Sequence, residues 1–416
     1  MKIGQVVRQY GLTAHSIYFY INSGLLVPPR RNNQYVFDQR TLEDLDIILN
    51  LKDMDFPLKT IHRVLSLRRI SNFCSMEDRA ELKNIYLEQN RVLRDQEERL
   101  RQSRQKLSAA MDQCDITTHP QSKTGVPLSM LSLLRCPDCG AELMLSDVNM
   151  NSKYIFHGRL TCTCGYCASI RDGIIETGHI NTSSFDKPDV TRELYRDLPS
   201  ETLSLFEQSY RWLEDRITGK AHSGKVWLEG HVNAWFFFHN HLNLLHDNDQ
   251  LIVVDKFPET LQAYKKIIEW AGAPCDILYI ADCSSQLPLK KSSVDYSMDF
   301  FASNEYNFYH DGLYLDQLLP YLRDTAEAFG VYFFFENGER SMQTLMRDYP
   351  ESSPDNFNLR WFNQALGQNF CLTQSEDCGS AISSGDNLGL GFHVSGEVLH
   401  LWSYHARVRR QSPPAT

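Results

Sequence analysis

Forty residues without a glycine or a proline, Ser75 to Cys114, constrain this 416-residue chain more than any other feature. The stretch is rich in Glu, Arg, Gln and Leu and reads as one helix, about 60 Å long at 1.5 Å per residue. Tyr86, Leu93, Leu100 and Leu107 recur every seven residues, and Leu82, Gln89, Gln96, Ser103 and Ala110 fill the alternate seam. So long a helix is stable in water only if its apolar stripe is buried, and a heptad stripe is buried in a coiled coil. The rod divides a chain too long for one core. We expect a head at 1–74, a dimerisation helix at 75–115, a linker at 116–130, a cysteine module at 131–180 and a C-terminal domain at 185–412.

Charge separates the same parts. Residues 1–74 carry ten Lys/Arg against six Asp/Glu, a net of +4, so the rest of a chain of formal charge −10 carries −14. A basic head on an acidic body suits local phosphate contact by the head alone. No apolar run approaches the ~20 residues that span a bilayer. The first residues also lack the apolar core of a signal peptide. A cytoplasmic protein with no membrane partner is expected.

In the head, Ile3, Val6 and Val7 have helical spacing, and Gly11-Leu12-Thr13 interrupts it. Thr13 can cap a second helix over about 14–22, whose Ile17, Tyr20 and Ile21 form a buried face. Two short helices around a glycine-containing turn are a helix-turn-helix, with the second helix as reader of the major groove. Gly24 can stop that helix, and Pro28-Pro29 launch an extended segment. Residues 30–37 then read as a hairpin with a basic tip, a wing suited to phosphates. Helices over 41–53 and from Pro57 complete the head.

Ile3-Gly4, Gly11-Leu12-Thr13, Tyr18-Phe19-Tyr20, Gly24-Leu25-Leu26-Val27-Pro28, Tyr35-Val36-Phe37 and Phe56-Pro57-Leu58-Lys59-Thr60-Ile61 together resemble the MerR family of transcriptional regulators. Tyr18 and Val36 stand where relatives usually carry arginines that touch the DNA backbone. The resemblance implies a homodimer joined by an antiparallel coiled coil, gripping double-stranded DNA at a promoter beside RNA polymerase. It also implies an effector that distorts an over-long promoter spacer. The candidate DNA contacts are Lys2, Thr13, His15, Ser16, Tyr18, Tyr20, Arg30, Arg31, Asn33 and Tyr35.

Eleven cysteines in a long cytosolic chain favour metal over disulfides, and five of them lie between Cys136 and Cys167. Cys136-Pro-Asp-Cys139-Gly140 and Cys162-Thr-Cys164-Gly165 are two knuckles of a zinc ribbon. The second is ambiguous, because Cys164 and Cys167 have the more usual spacing. We favour Cys136, Cys139, Cys162 and Cys164, since Cys164-Gly165-Tyr166 leads directly into a closing strand. This arrangement resembles ribbons at the front of methyltransferase-like proteins. Four thiolates imply a structural zinc; a redox role through Cys167 is the alternative.

Beyond residue 190, strands and helices alternate. Strands are expected at 225–229, 250–255, 276–282, 293–299, 330–335 and 398–405, with helices at 233–246 and 260–271. This order reads as a doubly wound, parallel-rich Rossmann-like sheet. The whole chain reads as a multidomain α/β protein: winged helix-turn-helix, long dimerisation helix, zinc ribbon and a doubly wound Rossmann-like domain that resembles the methyltransferase type. Glu229, Asp255, Asp282 and Asp299 sit at the strand ends. The pattern resembles the class I S-adenosylmethionine-dependent methyltransferase fold, which implies that Asp255 holds a ribose and Asp282 an adenine. Glu229, Gly230 and Cys283 complete the candidate ligand set. The family's glycine-rich turn is reduced to Glu229-Gly230-His231-Val232-Asn233, where Val232 would be costly at positive φ. Four readings stay open: an effector-binding domain without turnover, a methyltransferase using S-adenosylmethionine, a ligand-free scaffold, or another enzyme.

Overall fold

The computed structural model describes residues 1–114, 123–179, 181, 183, 185–218 and 224–409. They form two compact units, residues 1–117 and 118–416.

The first unit contains α1 (Ile3–Tyr10), α2 (Ala14–Asn22), the strands β1 (Arg30–Arg31) and β2 (Gln34–Tyr35), α3 (Gln39–Asp53), α4 (Leu58–Ser71) and α5 (Met76–Cys114). Gly11 adopts a left-handed conformation (φ 63°) that ends α1, and Thr13 then caps α2 by accepting the Ser16 N–H at 3.1 Å. Asn32 and Asn33 both have positive φ, the two-residue turn whose twist suits a hairpin, so Arg30 pairs with Tyr35. The hairpin is stitched to the chain start by a Lys2–Val36 bridge and by the Met1 ammonium, which donates to the Phe37 carbonyl at 2.6 Å. Val6, Ile17, Tyr20, Leu26, Phe37, Leu45, Ile48 and Ile61 form the core.

The expected seam of α5 is divided in its role. Leu82 and Ile85 pack on the head's core, Tyr86 meets Phe56 edge to face, and the buried Gln89 side chain donates to the Met54 carbonyl. Farther along, Leu100 is 67% exposed and Leu107 63%. The first turns of the rod therefore belong to their own head.

In the second unit, one twelve-stranded sheet joins two segments that the sequence suggests are separate. Its ribbon part holds β3 (Val126–Pro127), β4 (Met144–Met150), β5 (Tyr154–Thr161), β6 (Cys167–Arg171) and β7 (Ile174–Glu176). Val126 and Pro127 lie within the span expected as linker, yet they are buried and pair with β5; residues 116–122 of that span lie outside the described residues.

The Rossmann-like part holds α6 (Ser200–Thr218), β8 (Val226–Gly230), β9 (Gln250–Asp255), α7 (Pro258–Ala271), β10 (Asp276–Ala281), β11 (Val294–Phe300), α8 (Ala302–Tyr306), α9 (Tyr314–Leu318), β12 (Leu322–Phe335), α10 (Glu339–Asp348), α11 (Leu359–Asn369), β13 (Phe370–Ala381) and β14 (Leu399–Val408). The sheet order is β13-β14-β12-β11-β8-β9-β10. Strands β10, β9, β8, β11 and β12 are parallel, and β14 is antiparallel to both its neighbours. Numbered from β8, this is 6-7-5-4-1-2-3, the order of a class I methyltransferase sheet. At the other edge β7 pairs in parallel with β10, so the ribbon prolongs the sheet.

One expected element is absent. Residues 233–246 are turns with a short 3-10 helix, Leu242–Leu244, instead of an α-helix. The Glu229 carboxylate draws this loop back by accepting the N–H groups of Phe237 and Phe238 at 2.5 and 3.2 Å. Phe236, Phe237 and Phe238 are all fully buried. Three consecutive aromatics buried together cannot all lie on the inward face of one helix.

Candidate DNA-binding face, metal centre and ligand crevice

On the head, an open groove of ≈ 780 Å³ lies between α1, α2 and the hairpin. Lys2, Arg8, Tyr18, Arg30, Asn33 and Tyr35 line it, and no carboxylate does. The Arg30 guanidinium stacks on the Tyr35 ring at 4.5 Å and hydrogen-bonds its hydroxyl, while Tyr18 meets Tyr35 edge to face. His15 and Arg31 are exposed nearby in sequence. Thr13 and Ser16 share a hydroxyl hydrogen bond at the start of α2. Tyr20 is a correction among the expected contacts. It is 3% exposed, and its hydroxyl accepts from the exposed Lys52 ammonium at 3.2 Å, so its ring belongs to the core rather than to the groove. Arg8 lines the groove although the candidate contacts did not include it.

Both cysteine knuckles have the tight turn that their glycines permit. Gly140 (φ 74°) donates to the Cys136 carbonyl and Gly165 (φ 106°) to the Cys162 carbonyl. The sulfurs of Cys136, Cys139, Cys162 and Cys164 lie within 4.8 Å of one another. Cys136 and Cys164 are 3.4 Å apart, as are Cys139 and Cys162. Four sulfurs at ~2.3 Å from a tetrahedral zinc would be about 3.8 Å apart, so this set fits that ion. Cys167 opens β6, exposed and outside the group.

The four acidic strand ends of the Rossmann-like part face inward, each with partners of its own. Glu229 holds the Phe loop, and burial pushes its carboxyl well above the usual range. Asp255 accepts the N–H groups of Asn233 and Phe257, at 2.7 and 2.8 Å, and burial raises it to about 7. Asp282 accepts from Thr177 and Ser284 and meets the His179 imidazole at 2.9 Å. Asp299 accepts the Ser303 N–H and the hydroxyls of Ser303 and Tyr404.

At the tip of β8 a Cβ on Gly230 would overlap the Tyr314 hydroxyl, so a tyrosine of α9 fills the space above that glycine. The left-handed residue of the turn is His231 (φ 51°) rather than Val232, which is buried in the core. The His231 ring lies edge-on to Tyr314 at 4.6 Å. With that turn filled and the strand-end acids engaged internally, these residues do not fit S-adenosylmethionine in its usual seat. Beside the plug remains a cavity of ≈ 270 Å³, lined among others by Asp186, His231, Lys256, Cys283, Glu305 and Tyr309. Of the expected ligand residues only Cys283 reaches it. Asp186, Lys256 and Glu305 escaped sequence reasoning because they come from three separate segments without a shared spacing.

Comparison with known proteins places the front of the chain. Residues 1–67 match the model of the MerR HTH family regulatory proteins. These residues form a MerR-type helix-turn-helix domain. A curated relative of the MerR-type domain, the HTH-type transcriptional regulator ZntR homolog of Haemophilus influenzae, is 33% identical over 73 residues. That stretch is 17% of this chain and 54% of the relative, so the chain spans about half the length of the curated protein it matches. Among solved structures, a SAM-dependent methyltransferase of Aquifex aeolicus is 12% identical, with a TM-score of 0.36, and is covered in full by 54% of this chain. A phosphoethanolamine N-methyltransferase 2 of Haemonchus contortus is 13% identical, with a TM-score of 0.36 over 50% of this chain and 53% of its own. The strand order, rather than these distant likenesses, defines the fold behind the MerR-type domain. Among the described residues no helix is long and apolar enough to cross a membrane.

Proposed function

We propose that this protein is a transcription regulator that binds double-stranded promoter DNA as a homodimer, from the cytoplasm, and that its methyltransferase-like domain senses a small ligand without turnover. The observation that carries the reading is the basic groove of the MerR-type domain, where Lys2, Arg8 and Arg30 surround the start of α1 and the hairpin with no opposing acid. His15, Ser16 and Tyr18 of α2 read the major groove, while Arg30, Arg31 and Asn33 hold phosphates. The exposed leucines of α5 supply the dimer seam. The four cysteines hold one structural zinc, whose closed thiolate shell leaves no position for water. By family analogy RNA polymerase is the partner at the promoter.

Retardation of duplexes from the protein's own promoter region, measured across a salt series, tests this reading. Salt-sensitive binding is expected; a protein indifferent to those duplexes at low salt would defeat it. The second reading, a methyltransferase with an attached DNA-binding head, has the intact strand order in its favour and the filled turn at Gly230 against it.

A further inference from the structure

The cavity beside Tyr314 already receives an ammonium group. Lys256 is buried, and its Nζ is bonded to both Asp186 and Glu305, at 2.7 Å from Glu305. The same nitrogen lies 4.4 Å from the centre of the Tyr309 ring, the geometry of a cation held over an aromatic face. Charge there is unbalanced. Asp186, Glu305 and Glu351 line the cavity against the one lysine. The two histidines do not correct this: burial disfavours the charged form of His231 and of His310. Burial and the nearby Glu305 push the Asp186 carboxyl up to about 6, as expected where cations are too few. Nδ1 of His231, shut off from solvent, has no hydrogen-bond partner. Among the described residues only the four cysteines bring three or more metal donors together, so a metal ion has no ready cage here.

We propose that this cavity takes a small organic ammonium ion, seated against Glu305, Glu351 and Tyr309 beside Lys256. The inference rests on the reading of this domain as a ligand sensor and names the chemistry of what is sensed. A second cation restores charge balance that Lys256 alone does not supply. Tyr306 and Tyr309, which also line the cavity, accept the alkyl part. Anions are disfavoured by the same carboxylates.

Titration calorimetry on the full chain tests it at fixed ionic strength, with methylammonium and 1,4-diaminobutane as probes. Glutarate, S-adenosylhomocysteine and manganese chloride serve as comparisons. Saturable heat from an amine, and none from the three comparisons, is expected. Glu351 is exposed at the mouth, so Glu351→Gln folds normally and should bind the amine about tenfold more weakly. Absence of saturable heat from both amines, equal heat from any comparison compound, or an unchanged Glu351→Gln affinity overturns the proposal. DNA retardation without added ligand separates the two readings. Retardation without amine binding sinks this inference alone; amine binding without retardation sinks the regulator and leaves the amine site standing.

Discussion

The side-chain amide of Gln89 donates to the backbone carbonyl of Met54 at 2.9 Å. This bond clamps a seam position of the long helix to the head from which it emerges. Only the later turns of the rod are thus available for another chain. Leu93→Asp with Leu100→Asp should yield monomers in sedimentation equilibrium while the head keeps its melting temperature. Each leucine buried at a seam contributes ~1.5–3 kcal/mol and is lost twice per dimer. A double variant that stays dimeric would move the interface elsewhere.

The hairpin makes a second, separable prediction. Reversing Arg30 and Arg31 to Glu should abolish retardation of the operator at moderate salt. Each lost phosphate contact should also flatten the logarithmic salt dependence by ~0.9. Arg30 is held over Tyr35 by stacking, so Tyr35→Ala should weaken binding by a smaller factor. Binding by the reversed variant with an unchanged salt slope would remove the hairpin from the interface.

Zinc should be present at about one ion per chain by atomic emission, and Cys136→Ser or Cys164→Ser should release it. Because β7 of the ribbon is bonded to β10, loss of the ion should lower the melting temperature of the second unit as well as loosening the knuckles. Cys167→Ser should leave metal content intact. The opposite pattern, with Cys167 required and Cys162 dispensable, would reassign the second knuckle.

Asp255 gives a prediction in pH. Burial raises its carboxyl from 3.8 to about 7 in the folded chain. Between those values the folded state holds a proton that the unfolded chain has released. Stability from this group is therefore highest at or below about pH 4, falls as pH rises to about 7, and is level beyond. Wild type should lose on the order of 4 kcal/mol relative to Asp255→Asn across that window. Denaturant melts of both proteins from pH 4 to 8 measure the difference, and parallel curves would contradict it.

Much of this architecture was legible because local chemistry determines it. Gly11 and Thr13 set the turn between α1 and α2, Asn32-Asn33 the hairpin, and the runs of Leu251 to Val254 and Ile277 to Ile280 two buried parallel strands. The first knuckle was legible by spacing, whereas the choice of Cys162 and Cys164 over Cys167 came from the strand that follows them; the four sulfurs lie together. What failed to show depends on side-chain contacts that no periodicity encodes. The helical spacing at 233–246 is overridden by the Glu229 carboxylate. Tyr20 was legible twice over, as part of the buried face of α2 and as a DNA contact, and its burial decides for the first. Strand β13 carries mostly exposed residues and lacks the apolar signature of its neighbours. Tyr314 and Gly230 are separated by 84 positions, and no pattern in the chain announces that one covers the other.

Strand β10 would be the bare margin of a parallel sheet if β7 did not lie along it. Unpaired margins of that kind recruit strands from other molecules. The small cysteine module therefore does more than decorate the front of the larger fold: it closes a seam that would otherwise be adhesive. If the four cysteines hold an ion, its removal should therefore show first as clumping of the second unit along the β10 margin.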